Sequence, residues 1–183
     1  ARADPVAYRA ELLKSHPRHL AVLRKVASMA QWGRKLNPGA DGRPRALGVA
    51  LHQSFGSIVG QVAEVSVDAS KRIRVHRVWC AVDCGTAVHP TGVRQQVESG
   101  VIFGLSAALY GGVAITKGQV QQSNFHDAPA LRFEESPVIH TEIMPSTAHP
   151  EGMGEPATPP IAPAVANALF ALTGQRLRTL PLA

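Results

Sequence analysis

The chain has 183 residues, 45% of them hydrophobic and 17% charged, with 16 glycines and 14 prolines. That balance fills a core and leaves many loops, and it excludes collagen, coiled coils, disordered tails and disulfide scaffolds. The formal net charge of +6 is uneven: residues 1–45 carry ten Lys/Arg against three Asp/Glu, and residues 46–183 carry nine against ten.

Asp4-Pro5 reads as a helix N-cap followed by Pro at the first helical position. Val6, Leu12 and Leu13 predict a short helix to about Ser15, which His16-Pro17 breaks. Leu20, Leu23, Val26, Ala27 and Ala30 recur at helical spacing, with Gly33 as a stop. Residues 1–33 thus form a basic helical segment, either a solvated pair of helices or a surface that docks on an acidic neighbour. Residues 34–45 (RKLNPGADGRPR) read as a linker.

The period then changes. Residues 46–52 are a short β-like run, and Val62, Val65 and Val67 predict a strand. Residues 68–71 form a turn, and 73–82 the antiparallel partner. A smooth helix follows from Pro90 to Tyr110, with Ser99, Gly100 and Gly104 letting a neighbour come close. Residues 114–122 suggest a hairpin and 138–144 a strand. Residues 145–160 (PSTAHPEGMGEPATPP) form a long loop, and 161–172 an apolar helix stopped by Gly174. The fold class is α+β, a mixed sheet with buried helices.

No basic run is interleaved with aromatics, so no nucleic-acid partner is expected. No apolar run reaches the ~18 residues of a membrane span, and Ala1-Arg2-Ala3-Asp4 is not a signal peptide. Cys80 and Cys84 share a strand face about 13 Å apart, too far for a disulfide, and are expected as buried free thiols. There is no Walker loop, no GxGxxG after a strand, no HExxH and no CxxC. The eight histidines lack ligand spacing, so no protein-borne metal site is expected.

The informative segment is Glu151-Gly152-Met153-Gly154-Glu155-Pro156. Two glycines let backbone approach a ligand, and prolines stiffen the exit. A carboxylate placed there is a candidate general base. On residue chemistry alone, an ordinary loop with a solvated Glu is the simpler reading.

The order of several blocks changes this. Residues 61–68 (QVAEVSVD), 81–90 (AVDCGTAVHP), 96–105 (QVESGVIFGL) and 152–156 (GMGEP) occur in succession. With 48–60 (GVALHQSFGSIVG), 122–127 (QSNFHD) and 160–169 (PIAPAVANAL), they resemble the C-terminal region of the molybdenum-binding large subunit of the xanthine oxidase family. The likeness covers essentially the whole chain and is greatest to the bacterial isoquinoline 1-oxidoreductase β subunit and aldehyde oxidoreductase branch. Residues 46–183 then correspond to the C-terminal part of a molybdenum cofactor-binding domain.

The resemblance implies roles residue by residue. Glu155 matches the family's catalytic glutamate. Gln96 matches the glutamine beside the cofactor, and Gly152, Met153 and Gly154 match the cofactor-facing loop. His89 stands where Asn usually precedes Pro90, and Ser99 where Gly is common. The implied reaction is oxidation of an N-heterocycle or aldehyde with water as the oxygen source. The implied cofactor is molybdenum–molybdopterin, in its cytosine dinucleotide form. Implied partners are the remainder of the large subunit, a small subunit carrying [2Fe-2S] clusters, and a small-molecule substrate, in a bacterial cytoplasm or periplasm. The family's large subunit is several times longer, so the isolated chain is expected to be inactive. The alternative is a truncated, non-catalytic module that keeps the fold for assembly or binding.

Overall fold

The computed structural model describes residues 3–182. Its centre is a four-stranded sheet ordered β1-β2-β3-β6, from β1 (Ala46–Ser54), β2 (Ser57–Val67), β3 (Ile73–Asp83) and β6 (Val138–Ile143). β1 to β3 form an antiparallel meander, and β6 joins β3 in parallel. A parallel neighbour requires a crossover. The crossover here runs through α3 (Pro90–Tyr110), the small hairpin of β4 (Ile115–Thr116) and β5 (Gln119–Val120), and a short 3₁₀ turn.

Helices cover both faces. On one, α3 and α4 (Ile161–Thr173) pack Val97, Val101, Leu105, Ile161, Val165 and Leu169 against Val59, Ala63, Val78 and Val82. A Cβ on Gly48 would stand 2.1 Å from the carbonyl oxygen of Ala164, so glycine is what lets α4 lie directly on β1. On the opposite face, α2 (Pro17–Met29) buries Val22, Leu23 and Val26 against Val49, Ile58, Val62 and Trp79. β2 is therefore buried on both sides, which explains its near-continuous apolar run.

The predicted Asp4 cap is observed. Its carboxylate accepts from the backbone N–H of Val6 and Ala7 and also from the Trp32 indole, tying α1 (Pro5–Leu12) to the residues after α2. The basic character of α2 does not make it a solvated helix, because its Val22–Val26 stripe closes the sheet. Residues 34–45 hold no helix or strand. Arg34 and Arg45 from this stretch, with Arg77, converge on the buried Glu64 carboxylate. The predicted strand over 46–52 extends further. β1 and β2 form one hairpin whose turn is Phe55-Gly56, both at positive φ. Bulky residues rarely adopt that conformation, so the sequence carries no ordinary turn signal there. Gly174 caps α4 in the left-handed region, as expected. No helix is long and apolar enough to cross a membrane among the described residues.

Candidate functional site

The segment between β6 and α4 runs over the carboxyl end of β3 and the β1–β2 turn. It is pinned there by backbone hydrogen bonds. Met144 donates to Val82, Glu151 to Cys84 and Gly152 to Phe55, at 2.7, 2.9 and 3.0 Å. Thr86 donates to Ala148 at 2.9 Å. Gly85 makes this approach possible: its φ is +68°, and a Cβ would meet the His149 carbonyl oxygen at 1.9 Å. The loop carrying Gly152, Met153, Gly154 and Glu155 is thus seated on the end of β3 and the β1–β2 turn.

Beneath it lies an ion pair. Arg18, in the first turn of α2, donates from Nε and Nη2 to the two Asp83 oxygens, both at 2.8 Å. Asp83 also accepts from the Gly85 N–H. These bonds, Arg18 first, hold the Asp83 carboxyl below the usual carboxylate range despite its burial. The pair ties α2 to the strand end that supports the loop.

Two clefts meet at Gly154. One, of about 310 Å³, is lined by Gln96, His89, Gly92, Cys84, Met153 and Gly154. The other, of about 570 Å³, is lined by Glu155, Gly154, His52, Ser54, Phe55 and Phe103, among others. Gln96 and Glu155 therefore line two clefts that share one glycine, and both residues are solvent-exposed. Met153 is partly buried, packed against the α3–α4 core. A larger cleft of about 870 Å³ lies along α3 and the segment 131–139 and shares Ser99 and Phe103 with the Glu155 cleft.

His89 caps α3: its Nδ1 accepts from the Gly92 N–H at 2.7 Å. An imidazole acceptor here does what an Asn side chain does at an N-cap, so the departure from the family pattern leaves the helix start intact. Cys80 and Cys84 are free, and burial pushes both thiols up. Buried, protonated thiols are poor nucleophiles. Among the described residues, no three His, Cys, Asp or Glu side chains converge as a metal site.

The walls are mostly apolar, with a few polar groups near Gly154 that fit a ligand approaching its backbone. A Cβ there would meet nothing within 4 Å, so the backbone is open to contact. The Ser54 hydroxyl, in the wall of the Glu155 cleft, is buried without a hydrogen-bond partner. Such groups are normally satisfied. The Gln96 amide offers a donor and an acceptor in the other cleft. Sequence reasoning misses His52, Ser54, Phe55 and Phe103 as site residues. They reach the site from β1, its turn and the outer side of α3, which local pattern does not connect to Glu155.

Residues 27–137 match the molybdopterin cofactor-binding domain family. The beta subunit of isoquinoline 1-oxidoreductase from Brevundimonas diminuta is 41% identical over 98% of this chain and 23% of its own length. A nicotinate dehydrogenase subunit from Pseudomonas putida is 35% identical over 100% of this chain and 16% of its own. The crystal structure of quinoline 2-oxidoreductase from Pseudomonas putida superposes with a TM-score of 0.64 and 26% identity, over 69% of this chain and 17% of that one. The chain spans about a quarter or less of the length of these curated relatives. The matched residues, the relatives and the superposed fold agree: this chain belongs to the molybdopterin cofactor-binding domain family.

Proposed function

We propose that the chain is the C-terminal part of a molybdenum hydroxylase large subunit that oxidises an N-heterocycle or an aldehyde, with water as the oxygen source. The observation that supports this is that Glu155 and Gln96 line two clefts that share Gly154. Relatives named for isoquinoline, nicotinate and quinoline support the heterocycle, and one named as an aldehyde dehydrogenase supports the aldehyde. The molybdenum cofactor, in its cytosine dinucleotide form, would supply the two-electron chemistry when bound. Electrons would leave through [2Fe-2S] clusters in a small partner subunit.

This chain's own contribution is positional and acid–base. Gln96 would hydrogen-bond the cofactor from the start of α3. Gly152, Met153 and Gly154 would lay their backbone along it, since glycine lets a ligand approach. Glu155 would accept a proton at its carboxylate as the substrate carbon is attacked. Phe55 and Phe103 would exclude water from that wall once the rest of the large subunit covers it. Residues 46–183 would serve as the C-terminal part of the cofactor-binding domain, and the helices of 1–33 would brace it from behind.

The test is Glu155→Gln in the complete enzyme. Fold and molybdenum content should be kept, and kcat should fall by about 10²–10⁴, the usual worth of a general base. Turnover near wild type would return the chain to the reading of a non-catalytic binding module.

A further inference from the structure

We propose that Gln61 is a positioning residue for Glu155, acting through the carbonyl of Ala157. The catalytic half of this inference rests on the base role proposed for Glu155; the structural half stands on geometry alone.

Gln61 lies in the middle of β2. The row of β2 side chains facing α3 and α4 is Val59, Gln61, Ala63 and Val65, and the other three belong to the apolar core. Gln61 is fully buried. Its Nε2 donates to the Ala157 carbonyl oxygen at 2.7 Å. Its Oε1 is buried and has no partner. An unpaired buried acceptor is destabilising, and an apolar side chain would avoid it. Core packing therefore does not account for a glutamine at this position. The one bond it makes does.

That bond ends in the turn that begins at Glu155. Thr158 N–H donates to the Glu155 carbonyl at 2.9 Å, with Pro156 and Ala157 between them. Pro is favoured at the second position of such a turn, and the third residue's carbonyl has no partner within it. Ala157 is 1% exposed, so bulk water does not reach it. Gln61 supplies the missing donor. On the other side, a Cβ built on Gly100 would stand 3.0 Å from the Ala157 methyl, so α3 closes over the turn. The turn is clamped between β2 and α3, and the residue at its head is Glu155.

The experiment compares Gln61→Met, which keeps length and apolar volume but removes the donor, with wild type by amide hydrogen exchange in the complete enzyme. The expected result is that the Thr158 amide exchanges about tenfold faster while the amides of β2 and β3 do not change, as for a local opening. Unchanged Thr158 protection, or loss only in step with β2 and β3, overturns the proposal. Gln61→Glu gives a second reading. Its carboxyl can donate when protonated and cannot when ionised, so Thr158 protection should depend on pH in that variant and not in wild type. Protection independent of pH in Gln61→Glu overturns the proposal. In the complete enzyme, Gln61→Met should lower kcat by up to about 10²-fold with little change in KM, the signature of a misplaced group. A raised KM with kcat intact overturns the catalytic half. Glu155→Gln measured alongside separates the two readings. If it turns over like wild type, the base assignment falls, and the Thr158 exchange still decides the anchoring.

Discussion

Asp83 is 6% exposed at the end of β3, and both its oxygens are taken by Arg18. Its carboxyl is held below its ordinary range when folded. A depressed folded value means that the native state favours the charged form. The resulting stability is present above the unfolded carboxylate range and is lost as pH falls through the folded value. The chain should therefore lose stability below about pH 4, and Asp83→Asn should flatten that part of the curve while lowering stability at neutral pH. Thermal melts of both proteins across pH check this. Gln96→Ala should lower molybdenum retention in the complete enzyme, read by elemental analysis, with little change in melting temperature. Equal losses in both would mean that the side chain serves only the fold. At this scale the sequence is informative where chemistry is local. Gly152, Gly154 and Glu155 are close neighbours in one loop, and His89 sits directly before a helical Pro. Gln61 was illegible, because its partner lies 96 residues away and nothing in a β-rich run distinguishes a buried amide from an exposed one.

α3 shows how an element can be shaped by what it must admit. Gly100 and Gly104 lie on the face that receives the turn after Glu155. A Cβ on Gly104 would stand 2.5 Å from the Thr158 carbonyl oxygen and 2.7 Å from Ile161, whereas one on Gly100 meets Ala157 at 3.0 Å. Alanine is worth up to about 1 kcal/mol over glycine inside a helix. Gly100→Ala should therefore come out near neutral. Gly104→Ala should destabilise by about 1–3 kcal/mol, because a carbonyl must move. Chemical denaturation of the two variants tests the ordering, and equal effects would mean that the turn is loosely held. The limits of α3 and α4 and the β2–β3 hairpin were legible from period and from capping residues, but β2 begins at Ser57, before the predicted run of 61–68. The parallel pairing of β6 with β3 was not, since alternation predicts a strand but not its neighbour. The burial of α2 was obscured by Arg18, Arg24 and Lys25, which interrupt its short apolar stripe.

At the scale of the whole molecule, both clefts at Gly154 are open to solvent on one side, and Phe103 and Phe133 are 71% and 93% exposed. A pterin dinucleotide needs most of its surface buried to be held firmly. The chain purified alone should therefore carry no molybdenum and oxidise no N-heterocycle or aldehyde, and exposed apolar surface should make it associate. Elemental analysis, dye reduction and light scattering on the isolated chain check this. Stoichiometric metal with turnover would show that the site is complete within these residues.

The seating of α4 on Gly48 also bears on how the protein is made. The meander of β1 to β3 is local and ends at Asp83, whereas α4, which with α3 covers its apolar face, starts at Ile161. When the β1–β3 meander has been synthesised, β6 has yet to join the sheet and nearly eighty residues still precede α4. Contacts this distant in sequence form slowly, and an unsealed sheet is prone to aggregate. Val59, Ala63 and Val78 are thus without their α4 cover until that late helix arrives.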